Sequence, residues 1–271
     1  MPGRDPIATA LPGRPAGLEP SPEIVPDPAE VRVFRAARET VLARIAAACE
    51  RAGRDPAEVT LVAVSKTVPP ERLVSAVAAG LDLLGENRVQ EASAKVARVP
   101  GARWHLVGPL QSNKARRAVQ LFEMIESVDS VELACRLDRL VRELRGLPPT
   151  GPVDPRQRLA VLVQVNVDRD PAKAGILPGE LESALTAIAA CEALRLDGLM
   201  TIGRLADTPE QARATFRGLR ELARRARLAV PLLGPALSMG MSDDYPIAVE
   251  EGATIVRVGR AIFGPRPGRA R

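Results

Sequence analysis

A chain of 271 residues that is 46% apolar, 26% charged and 2% aromatic has the make-up of one globular domain with short appendages, which excludes a disordered or fibrous protein. Its apolar runs are broken by Gln, Asn or charge well before the roughly 18 residues that a bilayer span requires, so no membrane role is predicted. The net charge of +5 arises from 38 basic and 33 acidic residues dispersed along the chain, and with so few aromatics to stack on bases the sequence predicts no nucleic-acid partner.

Residues 1–29 carry eight prolines between Pro2 and Pro28 and no apolar leader; they read as a solvated, disordered tail and predict a cytoplasmic protein. A first helix is predicted over 31–52, closed by Gly53 as its C-cap. Thereafter apolar strands at 59–65, 82–85, 103–108, 124–127, 159–167, 195–202, 236–239 and 254–258 alternate with amphipathic stretches at 71–79, 89–99, 113–121, 131–145, 178–190, 209–227 and 245–251. The proline-rich segment 146–157 interrupts this order as a surface loop. Eight strand–helix units in about 235 residues fit a single-domain (β/α)8 TIM barrel over 30–265 better than an open doubly wound sheet, whose GxGxxG turn is missing. Residues 266–271 form a basic tail. Cys49, Cys135 and Cys191 are odd in number and widely spaced, with no CxxC or Cys/His pattern; they read as structural thiols, and no metal site is predicted.

In a parallel barrel, chemistry sits where the strands end. The first strand exits at Lys66, one of only four lysines. A lysine there is either partly desolvated, with a lowered pKa and an amine free to attack a carbonyl, or simply a side chain reaching for solvent. The second strand ends in Glu86, Asn87 and Arg88, of which Asn87 offers a ligand hydrogen bonds while its neighbours suit capping or pairing. His105, the only histidine, has no second His for a metal pair or relay and reads as a packed strand residue. The seventh strand runs out through Ser238, Gly240 and Ser242, and the eighth through Arg257, Gly259 and Arg260. Glycines, hydroxyls and a following helix start suit a phosphate, at the two strands where barrels commonly place one. Together with the lysine they point to a phosphorylated carbonyl ligand.

Val64-Ser65-Lys66, the stretch from Gly85 to Glu91, residues 105–114, Ser127-Val128-Asp129-Ser130, Gly198-Leu199-Met200-Thr201-Ile202, residues 237–244, Arg257-Val258-Gly259 and Ile262-Phe263-Gly264 occur in that order. Over residues 31–264 they resemble the pyridoxal phosphate homeostasis protein family. The resemblance implies a barrel of the alanine-racemase N-terminal type that holds pyridoxal 5'-phosphate as a Schiff base on Lys66. It places Asn87 near the ring, Met200 and Thr201 along the pocket, and Ser238, Gly240, Ser242, Gly259 and the Arg260 amide around the phosphate. Arg257 faces the pyridine nitrogen; because Arg stays protonated, it disfavours a pyridinium and weakens the ring as an electron sink. Residues 168–173 replace the small, glycine-containing turn usual in the family, which leaves the role of Lys173 open. Lys114, at a helix start, is either a cofactor-transfer position or a surface lysine.

Racemisation needs a second acid/base opposite the lysine, which alanine racemase draws as a tyrosine from a separate β-domain. Here the one tyrosine, Tyr245, follows the phosphate loop, and seven residues follow Gly264. The expectation is therefore a non-catalytic protein that buffers or delivers pyridoxal phosphate, partnered by that cofactor and by apoenzymes that use it, as a monomer or weak dimer. The alternatives are a pyridoxal-phosphate-dependent racemase or lyase, with Lys66 as both anchor and base, and a cofactor-free aldolase acting on a sugar phosphate.

Overall fold

The computed structural model describes residues 24–203 and 208–265. Residues 1–23 of the expected N-terminal tail and all of the expected basic tail, 266–271, lie outside the described residues. Helix α1 (Pro28–Ala52) begins earlier than its apolar periodicity predicts. Asp27 is the reason: its carboxylate accepts the Ala29 amide at 2.8 Å, and Pro28 takes the first helical position, where a missing N–H is harmless. Ile24 already packs against the core, so residues 24–29 of the expected tail join the fold.

Strands β1 (Thr60–Val64), β2 (Leu83–Glu86), β3 (Arg103–Leu106), β4 (Met124–Val128), β5 (Leu159–Gln164), β6 (Leu194–Met200), β7 (Ala236–Ser238) and β8 (Ile255–Val258) pair in chain order and close on themselves. All eight pairings are parallel. Between successive strands run α2 (Pro70–Ala78), α3 (Val89–Lys95), α4 (Ala115–Leu121), α5 (Val131–Leu144), α6 (Leu181–Ala189), α7 (Arg213–Ala229) and α8 (Tyr245–Glu250), and β8 is followed by α9 (Arg260–Phe263). This is the (β/α)8 barrel that the alternation predicts. Since α9 is a single turn, α1 completes the helical ring, packing on α8, α2 and α9. Phe34 meets Phe263 edge-on at 5.5 Å in that contact.

Local chemistry accounts for the departures from the predicted boundaries. The fifth strand stops at Gln164 rather than 167, because the Asn166 side chain bonds the Asp170 and Lys173 carbonyls and turns the chain. The helix predicted at 89–99 breaks into α3 and a 3-10 turn, Val96–Arg98, and the one at 113–121 opens with another, Ser112–Lys114. Four residues are too few for periodicity to reveal α9.

Strand alternation sorts side chains into two cores. The outer one, between barrel and helices, includes Leu84, Leu106, Ile125, Val161, Leu199 and Val256. The inner one is small, with Val62, Leu83, Val107, Leu162, Met200 and Ile255 buried in it. Much of the remaining interior is polar. Cys49 and Cys191 are buried while Cys135 is exposed, with the Cys135 and Cys191 sulfurs 3.8 Å apart. Among the described residues, no helix is long and apolar enough to cross a membrane.

Candidate functional site

Because all strands run parallel, their C-terminal ends share one mouth, and the residues singled out in the sequence lie at or just after those ends. Lys66 follows β1, half-buried, on a chain that turns sharply. The next residue, Thr67, has φ +65°, a conformation that costs a non-glycine residue roughly 1–3 kcal/mol and so must be imposed by its surroundings. Two contacts impose it: the Val68 amide closes back on the Ser65 carbonyl at 3.0 Å, and the Thr67 amide donates to Glu91 at 3.1 Å.

Behind Lys66, facing the helices, lies a buried ionic cluster. Lys95 donates to Glu86 at 2.7 Å and to the Ser65 carbonyl at 2.9 Å, and the Ser65 hydroxyl donates to the same Glu86 oxygen at 2.7 Å. Burial raises the Glu86 pKa, and Lys95 and Ser65 pull it back only in part. Of the two roles open to Glu86, capping or pairing, the structure shows pairing, with Lys95 as the partner. The signal was available: Lys95 sits one helical turn from Glu91 and ends a short helix whose buried face includes Val89 and Ala92.

Asn87 is half-buried just after β2. Its backbone runs so close to Gly108 that a Cβ there would stand 2.4 Å from the Asn87 carbonyl oxygen, so the third strand must exit through a glycine. Ser127 fixes that exit by donating to the Gly108 carbonyl at 2.6 Å.

The opposite side of the mouth is joined directly. Arg257, buried inside the barrel, donates through Nη1 to Ser238 Oγ at 2.5 Å and through Nη2 to the Thr201 carbonyl at 2.7 Å. Thr201 in turn donates its hydroxyl to the Val165 carbonyl, and Met200 beneath it is fully buried in the inner core. Gly240 has φ +89°, and a Cβ there would stand 2.6 Å from Ala248 Cβ; the tight loop leading into α8 is open only to glycine. Ser242 Oγ accepts the Gly259 amide at 3.1 Å and lies 3.5 Å from the Ala261 amide, leaving its hydroxyl hydrogen to serve an acceptor. The exposed Arg260 side chain turns away to pair with Asp243. Ser238 thus sits with Arg257 inside the barrel rather than with Ser242.

Glu126, in the middle of β4, had no place in the sequence reading. It is fully buried, 2.7 Å from His105 Nδ1, and accepts the Ser238 hydroxyl at 2.5 Å. Burial pushes its carboxyl up, but His105, Arg257 and Ser238 together outweigh that and hold it below the ordinary range. Burial also lowers the Arg257 guanidinium, against Glu126 and Asp244, yet an arginine remains charged. His105 is the packed, hydrogen-bonded residue expected, though its partner is a carboxylate.

Lys173 closes the replaced turn. Its ammonium donates to the Gly203 carbonyl at 2.5 Å and the Ile202 carbonyl at 3.3 Å, while Arg169 within the turn takes φ +53°. Lys114 ends the 3-10 turn before α4, half-buried. Tyr245 is wholly buried at the start of α8, with the Arg44 guanidinium 5.1 Å over its ring. Chemically, the mouth offers an amine, a buried guanidinium and a hydroxyl-and-amide set, suited in turn to a carbonyl, a lone-pair acceptor and an anion.

Known proteins share this arrangement of sequence and fold. Residues 39–267 match the family defined by the alanine racemase N-terminal domain. The pyridoxal phosphate homeostasis protein of Pseudomonas aeruginosa is 42% identical over 228 residues, covering 83% of this chain and 93% of that one. The Escherichia coli protein of the same name is 39% identical, covering 82% and 92%. PipY of Synechococcus elongatus, solved with PLP bound, is 41% identical with a TM-score of 0.69, covering 83% of this chain and 100% of its own.

Proposed function

The chain belongs to the family of the alanine racemase N-terminal domain, and on that footing we propose that it binds pyridoxal 5'-phosphate reversibly at the barrel mouth and holds it for other proteins, without efficient turnover. The observation that carries this reading is the buried Arg257, anchored by Ser238 and Thr201, on the strand paired with the one that delivers Lys66. The residues present suit the cofactor. Ser242, backed by the Gly259 amide and by the glycine-only turn at Gly240, fits a phosphate; Arg257 fits an acceptor nitrogen; and Lys66 supplies the amine. When bound, pyridoxal phosphate supplies an aldehyde that condenses reversibly with an amine.

Each residue then has a defined task. Lys66 anchors the cofactor covalently and is oriented by the Thr67 turn and the Ser65–Glu86–Lys95 cluster. Asn87 borders the ring, and Met200 with Thr201 lines the floor. Arg257 would hold the ring nitrogen as a donor, and its positive charge would disfavour protonation there and so blunt carbanion chemistry. The only tyrosine is buried in the α1–α8 contact under the Arg44 guanidinium, which keeps its hydroxyl from serving as a proton donor at the mouth. The relatives' names support the homeostatic role. The domain division into tail, barrel and basic end, with the barrel starting near Pro28, is part of the same proposal.

Absorption spectra with and without added pyridoxal phosphate, on wild type and Lys66→Ala, followed by borohydride trapping and peptide mapping, test the reading. A visible band trapped on Lys66 and lost in the variant is expected. No band from a folded wild type would bring back the sugar-phosphate aldolase. Robust amino-acid racemisation that depends on Lys66 would replace the carrier with an enzyme.

A further inference from the structure

A parallel barrel normally fills its interior with layers of branched apolar side chains. In this protein β3, β4, β7 and β8 place four buried polar residues there instead: His105, Glu126, Ser238 and Arg257. They form one hydrogen-bonded chain, with His105 Nδ1 and Glu126 Oε1 2.7 Å apart, Ser238 Oγ 2.5 Å from Glu126 Oε2, and Arg257 Nη1 2.5 Å from Ser238 Oγ. The directions are forced. A guanidinium only donates, an ionised carboxylate only accepts, and a serine hydroxyl has one hydrogen to give, so the order is Arg257 to Ser238 to Glu126. Arg257 Nη1 also lies 4.0 Å from Glu126 Oε2, which makes Glu126 its counter-charge within the barrel. Buried ionic groups seldom add stability over well-packed apolar residues of the same volume, so a role beyond holding the barrel together is the better account of this one.

We propose that Glu126 is a positioning residue for the cofactor site, fixing the direction of Arg257 through the Ser238 hydroxyl and balancing its charge, so that a bound heteroaromatic ring meets an oriented donor within a nearly neutral pair. The inference rests on the pyridoxal phosphate reading above. Glu126 faces His105 from β3, Ser238 from β7 and Arg257 from β8, and Asp244 also acts on Arg257. In Glu126→Gln, Arg257 is left with Asp244 as counter-charge, and one neutral amide oxygen replaces the two carboxylate oxygens that meet His105 and Ser238. The site becomes more positive, and the protonated form of the bound chromophore is disfavoured.

The test uses the full chain loaded with pyridoxal phosphate and compares wild type, Glu126→Gln, Glu126→Asp and Ser238→Ala. Readouts are cofactor affinity, the pH titration of the visible band, and the thermal melt of the cofactor-free protein. For Glu126→Gln the band's titration midpoint is expected to fall by about one pH unit, a tenfold change in proton affinity, and Glu126→Asp is expected to recover most of it. Ser238→Ala keeps the charge but cuts the link, so affinity is expected to drop about tenfold, in line with the loss of a charge-assisted hydrogen bond, with the midpoint moving less. A purely structural role would lower the melt and leave the midpoint in place, and that result overturns the proposal. Should Glu126→Gln fail to fold, wild-type affinity in Ser238→Ala would overturn it equally. A wild type that gains no band overturns both this inference and the cofactor reading, whereas an unchanged Glu126→Gln overturns this one alone.

Discussion

Replacing Lys95 with methionine removes the ammonium that Glu86 and the Ser65 carbonyl share, while keeping a side chain of similar length in the slot between α3 and the barrel. The Ser65 carbonyl keeps the Val68 amide as a donor, and Glu86 Oε1 keeps the Ser65 hydroxyl. Glu86 Oε2 already has no hydrogen-bond partner among the described residues, and the side chain is wholly buried. What remains is an uncompensated buried carboxylate, and breaking a buried pair in this way costs about 3–5 kcal/mol. For a domain of this size that corresponds to a fall in Tm of roughly 6–20 °C. The sign of the pH dependence follows from Glu86. Burial already raises its folded-state pKa, Lys95 opposes that rise, and removing Lys95 raises it further. A group whose folded pKa exceeds its unfolded value stabilises fully below the unfolded pKa, about 4.3 for Glu, and loses that contribution as pH rises through the folded one. The deficit of Lys95→Met is therefore smallest near the acid end of the folded range and largest at neutral pH. Urea denaturation of the cofactor-free chain at two pH values measures it. A deficit below about 1 kcal/mol at neutral pH, or one equal at both pH values, would show that packing rather than charge decides this site. The double variant Lys95→Met with Glu86→Leu is expected to return to within about 1 kcal/mol of wild type.

Two further outcomes can be checked independently. Gly240→Ala forces a side chain into left-handed backbone and brings its Cβ to 2.6 Å from Ala248 Cβ; together these cost about 2–4 kcal/mol, read from the melt, and the rebuilt loop weakens phosphate binding. With iodoacetamide at mildly alkaline pH, exposed Cys135 is labelled first. Cys49 and Cys191 react only after unfolding, because burial pushes both thiols up, Cys191 to about 12 with help from the adjacent Cys135. Peptide mapping that found Cys191 labelled as fast as Cys135 would contradict the packing of α5 against the segment before β6.

The barrel, and which residues close its strands, can be read from local sequence alone. Strand and helix periods alternate eight times, turn residues punctuate them, and a parallel barrel places chemistry at strand exits, so Lys66, Asn87, Gly240, Ser242 and Gly259 were legible as rim residues from their positions alone. Residues matching a family motif by motif could be assigned tasks in the same pass. The partners behind those residues were decided only by tertiary structure. Glu126 reaches Ser238 across 112 positions of sequence because closure of the sheet brings β4 and β7 to face each other through the barrel. Its setting also depends on an irregularity: the β4–β5 register shifts between Ile125 and Val128, so that both of those residues join the outer core, while Glu126 bonds His105 and Ser238. Likewise Lys95 reads as a helix-end lysine until the docking of α3 buries it against Glu86 and Ser65. Periodicity reports how each segment turns its own faces. Which charges share a dry interior is set by closure and register, and those are properties of the whole chain folded at once.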